Sequence, residues 1–227
     1  MIESGGMPVT PLSRLTKREL DRFDRSTGIP TALGVIRRHL GLLRTLRVGV
    51  SLIVRRDLDP LADVPRAGWD DWREDLCRHQ LRTLFHLDDV LRDVIGLDDQ
   101  AKNALLGDVI VETGARFVAK SVQAPAPEEW AKAPEPERDE FLKSIGERMF
   151  NAEIGTVQGG DRELAVDVTA CRLVELCNAA GRGHLAPNFC AADSRHFDSE
   201  GSLLGLRRGK TIAEGSARCE FRFYYRE

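Results

Sequence analysis

Near Leu164 the apolar residues of this chain change their period. Upstream they recur every three or four positions, as in Leu33, Ile36, Leu40, Leu43, Leu46, Val50 and Ile53 or Val54, or in Trp69, Trp72, Leu76, Leu84, Leu87, Leu91 and Val94. That is the stripe of an amphipathic helix. Downstream, Leu164, Val166 and Val168 alternate with polar residues, the pattern of a strand with one buried face. Helices first and strands last predict an α+β fold, a helical bundle packed with a small C-terminal antiparallel sheet and one or two helices. The expected division is a flexible arm over 1–15, a helical part over 16–155 and a cysteine-containing α+β part over 156–227, joined as one compact unit.

Turn and cap residues set the expected boundaries. A short helix from Thr16 to about Arg25 is broken by Gly28-Ile29-Pro30, and Thr31 caps a longer one reaching Arg56. Its arginines, Arg37, Arg38, Arg44, Arg47, Arg55 and Arg56, read as a solvated face or as a basic rim for an acidic ligand. Pro60 and Pro65 mark a loop, Trp69–Ile95 a second helix closed by Gly96, and Asp98 or Asp99 the start of a third that carries Glu112 and Arg116 as an i,i+4 pair. His79 and His86 lie two helical turns apart and read as core or surface histidines, since a helical metal pair wants a separation of three or four. Pro125, Pro127, Pro134 and Pro136 mark a linker, and Glu137–Gly155 one more helix. Gln158-Gly-Gly-Asp161 then turns the chain.

Charge and composition remove several classes of function. A net charge of −3 with mixed signs speaks against a large nucleic-acid footprint, though not against a local basic pocket for a carboxylate. No run of about 18 apolar residues offers a membrane span. Residues 1–16 do not read as a signal peptide. Five cysteines without such a signal are expected as free thiols in a reducing cytoplasm. Walker, GxSxG and dinucleotide fingerprints are absent from the sequence.

Four of those cysteines, Cys171, Cys177, Cys190 and Cys219, fall in the last third. Cys171 is expected where a strand gives way to a helix, near amide N–H groups that favour a thiolate. Cys177 lies within that helix and reads as structural. In a following helix Cys190 and Asp193 share a face at i and i+3. Leu203–Ala213 and Ala217–Tyr225 read as a hairpin turning at Glu214-Gly215-Ser216. Alternation on its last strand sends Cys219, Phe221, Phe223 and Tyr225 one way, and Arg218, Glu220, Arg222 and Tyr224 the other.

The order of Cys171, the Cys190/Asp193 pair, Arg208 and Thr211, Gly215, and the close Cys219-Glu-Phe-Arg-Phe223 resembles the L-2-amino-thiazoline-4-carboxylic acid hydrolase family. The resemblance covers about Leu164 to Tyr225. One departure stands out: the family often follows its first cysteine with proline and an aromatic residue, where this chain has Arg172-Leu173, which bears on the substrate more than on the fold.

The resemblance implies a hydrolase that opens a small cyclic amidine by water attack, giving an N-carbamoyl cysteine. Such chemistry needs a nucleophile, a proton donor and a cation for the substrate carboxylate. Cys190 or Cys219 is the expected nucleophile, with Cys171 beside them, Asp193 the acid–base or orienting group, and Arg208, with Thr211 and Arg222, the substrate-binding set. The partner implied is a small carboxylate-bearing molecule, with no cofactor. Three other readings stay open: zinc held by three cysteines with Asp193 or His196, a non-catalytic small-ligand module that keeps the fold, and cysteines that merely pack.

Overall fold

The Thr16 side chain and Glu19 form a reciprocal cap over helix α1 (Lys17–Phe23). In the computed structural model, which describes residues 9–66, 68–160 and 162–226, α1 passes through a π-helical turn at Asp24–Gly28 straight into α2 (Ile29–Arg55). The break expected at Gly28-Ile29-Pro30 is therefore absent, and Thr31 lies inside α2 instead of capping it. Pro30 stands in the first turn of α2, where a missing N–H is tolerated. The interruption falls instead at Gly41, whose φ of 75° and ψ of 174° are non-helical.

Past Gly41 the stripe that reads as a core face looks outward. Leu43, Leu46, Val50, Ile53 and Val54 are exposed, Leu43 at 81% and Val54 at 76%, while Thr45 and Val48 of the opposite side are buried. This half of α2 is apolar on two faces, and periodicity alone gives no rule for choosing between them. The arginines accompanying α2 are mostly exposed. Arg38 pairs with Glu112 of α4 (Asp99–Ser121), so Glu112 takes a partner on another helix in place of the expected Arg116.

Helix α3 (Asp71–Asp93) ends before Gly96 at φ 73°, and Asp98 caps α4 by accepting from the Ala101 N–H at 2.8 Å. The proline-rich stretch is not a bare linker: it carries α5 (Pro127–Lys132) and the start of α6 (Glu135–Arg148), each with proline in its first turn. Trp130 of α5 is buried, its indole donating to the Gly160 carbonyl at 3.0 Å. Of the expected loose arm, the described part is packed. Val9 and Leu15 are buried, and residues 1–8 lie outside the described residues.

Helix α6 ends at Arg148, and the segment after it, expected as helix, supplies strand β1 (Ala152–Gly159). This strand carries a bulge and a glycine at its centre, which hide the alternation in the sequence. At Gly155 a Cβ would come within 2.8 Å of the Thr169 side chain, so glycine lets the strands approach. β1 turns back into β2 (Glu163–Cys171) at the expected place, although Asp161 lies outside the described residues. The chain then forms α7 (Arg172–Ala179), α8 (Ala186–Phe197), β3 (Leu204–Arg208) and β4 (Cys219–Tyr225). The sheet is antiparallel, in the order β1-β2-β4-β3. The fold is thus α+β with its helical part N-terminal. β3 is shorter than the expected Leu203–Ala213. Thr211 and Glu214 cap each other over a 3₁₀ turn at Ile212–Glu214, which pulls the chain off the sheet and closes at Gly215, φ 89°.

Register decides which side chains meet. Leu164 faces Phe223, Val166 faces Phe221 and Val168 faces Cys219 across β2 and β4, forming the inner, apolar face. The helices dock on that side, and a buried ion pair fixes the joint. Arg172, the first residue of α7, places Nε 2.6 Å from Glu74 Oε2 and Nη2 2.9 Å from Oε1 of the same carboxylate. Arg78 donates to Glu74 as well, at 2.5 Å. Burial would raise the Glu74 pKa, but the hydrogen bonds from Arg172 and Arg78 outweigh it and hold the carboxyl below its usual range.

Glu74→Gln removes the buried carboxylate that Arg172 and Arg78 share, leaving Arg172 only the more exposed Glu175, so it is expected to lose about 3–5 kcal/mol of stability by urea denaturation. In contrast, Leu46→Gln on the outward face of α2 should change stability by less than about 0.5 kcal/mol in the same measurement.

Candidate active site

Between the helices and the inner face of the sheet lies a cavity of about 440 Å³. Cys171, Cys190, Asp193 and Cys219 all line it, brought from the end of β2, from α8 and from β4. Close packing of α4 on α8 places the α8 pair: a Cβ at Gly114 would come within 2.6 Å of the Ala192 side chain. Arg208, Thr211 and Arg222 do not line the cavity. Arg222 sits on the outer face of the sheet, Nη1 2.9 Å from Asp167 Oδ1, as the strand alternation requires. It is remote from any role at the cavity.

Asp193 is the most perturbed carboxyl of the group. Burial pushes its pKa up to about 7, against a smaller downward pull from Arg208. The acid is thus close to half protonated at neutral pH. The exposure it retains is to the cavity wall. Arg208 keeps one guanidinium nitrogen, Nη1, buried and without a hydrogen-bond partner among the described residues. A buried donor left unpaired is costly and rare.

The thiols are pushed the other way from a reactive thiolate. Cys171 is at the N-cap of α7, but its sulfur takes no capping hydrogen bond there, only a 3.9 Å contact from Asn151 Nδ2. Although the nearby Val174 and Leu173 amides pull its pKa down, burial wins and pushes it up to about 11. The expectation of a thiolate stabilised at that helix end is corrected accordingly. Burial also raises Cys190, with the Thr211 hydroxyl, within hydrogen-bonding reach, and Arg208 pulling back. Thr211 is itself buried and directs its hydroxyl to Glu214 Oε2 at 2.9 Å. One hydroxyl proton cannot serve both groups. While it points at Glu214, Thr211 can only accept from the Cys190 thiol. Cys219 is raised by burial too, and its sulfur accepts from the Ile212 N–H at 3.2 Å.

The family model for L-2-amino-thiazoline-4-carboxylic acid hydrolase matches residues 82–223. The chain belongs to that family. No curated protein matches it. The family is named as a hydrolase, and the matched span contains α4 to α8, the sheet up to Phe223 of β4, and all four cavity residues named above.

Against the family pattern, the Arg172 departure has a structural explanation that sequence reading missed. Its guanidinium points away from the cavity, into Glu74, Glu175 and the Pro65 carbonyl. The signal was available only as a buried glutamate on α3, which nothing local marks. Cys177 is fully buried, with its thiol pushed up to about 12, and Cys77 is buried on α3. His86 is buried and 3.1 Å from the Leu58 carbonyl, while His79 meets Asp24 at 3.2 Å on the cavity wall. His196 packs edge-on against Phe197 and lies off the cavity. Among the described residues no three His, Cys, Asp or Glu side chains are grouped to hold a metal ion. No helix among them is long and apolar enough to cross a membrane.

Asp193 also makes a stability prediction. Its folded pKa lies above the unfolded value, so between about pH 4 and 7 the folded state holds a proton the unfolded state has lost. Rising pH through that window therefore favours unfolding. Asp193→Asn removes this term, and its stability relative to the parent is expected to increase from pH 5 to pH 8 by about 2.5 kcal/mol, read from denaturation midpoints at each pH.

Proposed function

We propose that the chain hydrolyses a carboxylate-bearing cyclic amidine of the 2-amino-thiazoline type by cysteine-dependent attack. The observation that carries this reading is Asp193: a carboxyl with a pKa near 7, on the same cavity wall as two thiols and within the field of a guanidinium that lacks a full set of partners. Such a group can take a proton and return it at neutral pH. High thiol pKa values mean that attack needs a base at the moment of bond formation.

The steps balance as follows. The thiol of Cys190 or Cys219 adds through Sγ to the ring carbon between nitrogen and sulfur, its proton passing to the Asp193 carboxylate. The ring carbon–sulfur bond breaks, and the leaving sulfur takes that proton. This leaves an isothiourea on the enzyme. Water then adds to the same carbon, giving a proton to Asp193. The carbon–Sγ bond breaks, the cysteine is reprotonated, and an N-carbamoyl cysteine departs. Thr211 turns its hydroxyl toward sulfur as negative charge builds there. Arg208, which stands behind the cavity wall, would turn its unpartnered Nη1 inward to supply the cation for the substrate carboxylate, and Cys171 forms the adjoining wall.

Cys190→Ser and Cys219→Ser are each expected to fold and to lose turnover of L-2-amino-thiazoline-4-carboxylate. Arg208→Met should raise KM more than it lowers kcat. In the parent, kcat/KM should climb with pH through about 7, because Asp193 must be ionised to accept the first proton. Full activity in both serine variants, or one equivalent of zinc whose removal abolishes turnover, would defeat this reading. The upward-shifted thiols also suit a small-ligand module without turnover. Calorimetric binding of the same compound with no product formed would favour that second reading.

A further inference from the structure

A five-membered ring with a carboxylate would fill only a fraction of the 440 Å³ cavity. A cavity of this size falls in the range of sites for considerably larger ligands.

The cavity extends well beyond the reactive cluster. It runs from the sheet into the bundle, where Ala32 and Ile36 of α2, Thr83 and Leu87 of α3, and Val109 and Phe117 of α4 line it. Three of the polar groups at that end are already engaged. The Thr113 hydroxyl donates to the Val109 carbonyl at 2.6 Å, and His79 is held by Asp24. Arg148 is spent on the Ser121 and Ser13 carbonyls and on Glu19. Gln80 and Thr83, which also line that end, are uncharged, so nothing there calls for a charged ligand group.

The family match covers the whole reactive end but only part of the bundle end. Cys171, Cys190, Asp193 and Cys219 fall within the residues shared with the family, 82–223, whereas Ala32 and Ile36 precede them. Part of the bundle wall therefore belongs to a segment that the family model does not describe.

We infer that the physiological ligand of this site is a carboxylate-bearing cyclic amidine carrying an uncharged apolar extension, of the size of a medium-length alkyl chain, which lies in the bundle end of the cavity. This rests on the ring-opening reading for its reactive end only.

Two measurements on the full chain separate the ideas. The first is turnover of 2-(alkylamino)-thiazoline-4-carboxylates from methyl to octyl beside the unsubstituted 2-amino compound. kcat/KM should rise with chain length, and Ala32→Trp, which fills the bundle end, should flatten the series while leaving the unsubstituted compound unaffected. Thr83→Leu, a smaller change, provides the same comparison should the tryptophan disturb folding. The second is calorimetric binding of acetate, hexanoate and decanoate, which needs no chemistry. Affinity should rise about fourfold per buried methylene, and Ala32→Trp should level it.

Turnover that is best on the unsubstituted ring and falls with every added methylene overturns the extension while the hydrolase reading stands. No ring opening at all, with decanoate bound and displaced by Ala32→Trp, removes the hydrolase reading and supports the apolar-tailed ligand. Flat binding across the carboxylates, unaltered by either variant, shows a cavity that closes up or fills with water and overturns the inference.

Discussion

One buried arginine–glutamate pair, braced by a second on the same carboxylate, ties α3 to the β2–α7 corner. Arg172 and Glu74 are both almost wholly removed from water, a placement that costs several kcal/mol per ion unless each lone pair and proton is matched. Here they are matched. Glu74 receives both Arg172 and Arg78, Arg172 also reaches Glu175 and the Pro65 carbonyl, and the Trp69 indole donates to Glu175 at 3.0 Å. Because Arg172 directly follows Cys171, this lattice sets where β2 stops and α7 begins. Arg73, one residue before Glu74, secures the other end of the joint. It donates to the Phe150, Met149 and Ala152 carbonyls and lies against the rings of Trp69 and Trp72. The segment leading into β1 is thereby pinned to the same helix that pins β2.

A low-polarity chamber follows from that arrangement, and it governs the chemistry available. The same removal of water that raises Asp193 into the neutral range also keeps the thiols protonated. In the proposed reaction, charge would appear on sulfur only with substrate present, near Arg208 and the Ile212 amide. Such a site is slow to react with adventitious oxidants, since oxidation begins from the thiolate.

Much of this frame was legible in the residues. The change of period at Leu164 announced the α+β layout, Gly96 and Asp98 marked a helix boundary correctly, and alternation alone placed Arg222 opposite Cys219. What escaped had physical reasons. The second half of α2 is apolar on two sides, and only tertiary packing chooses which is covered. β1 carries a bulge and Gly155, which erase its alternation. The prolines of 123–136 begin helices here instead of ending them. In the candidate site, sequence order suggested which cysteines and which aspartate to consider. The size of the cavity around them, and the inversion of the thiol shift by burial, depend on contacts that no local pattern contains.

Gly41 divides α2 into two parts with different mechanical duties. The half before it forms cavity wall through Ala32, Leu33 and Ile36, while the half after it packs through Thr45 and Val48 and reaches the cavity only at Leu52. A continuous helix is a stiff rod, and any shift at one end would lever the other. With φ at 75° the backbone hydrogen-bond ladder is interrupted, so displacement of the distal half is absorbed at one residue. A residue with a β-carbon is strained in that conformation, so replacing this glycine would favour straightening the rod. Movements of the outer half would then be transmitted to the wall of the ligand chamber.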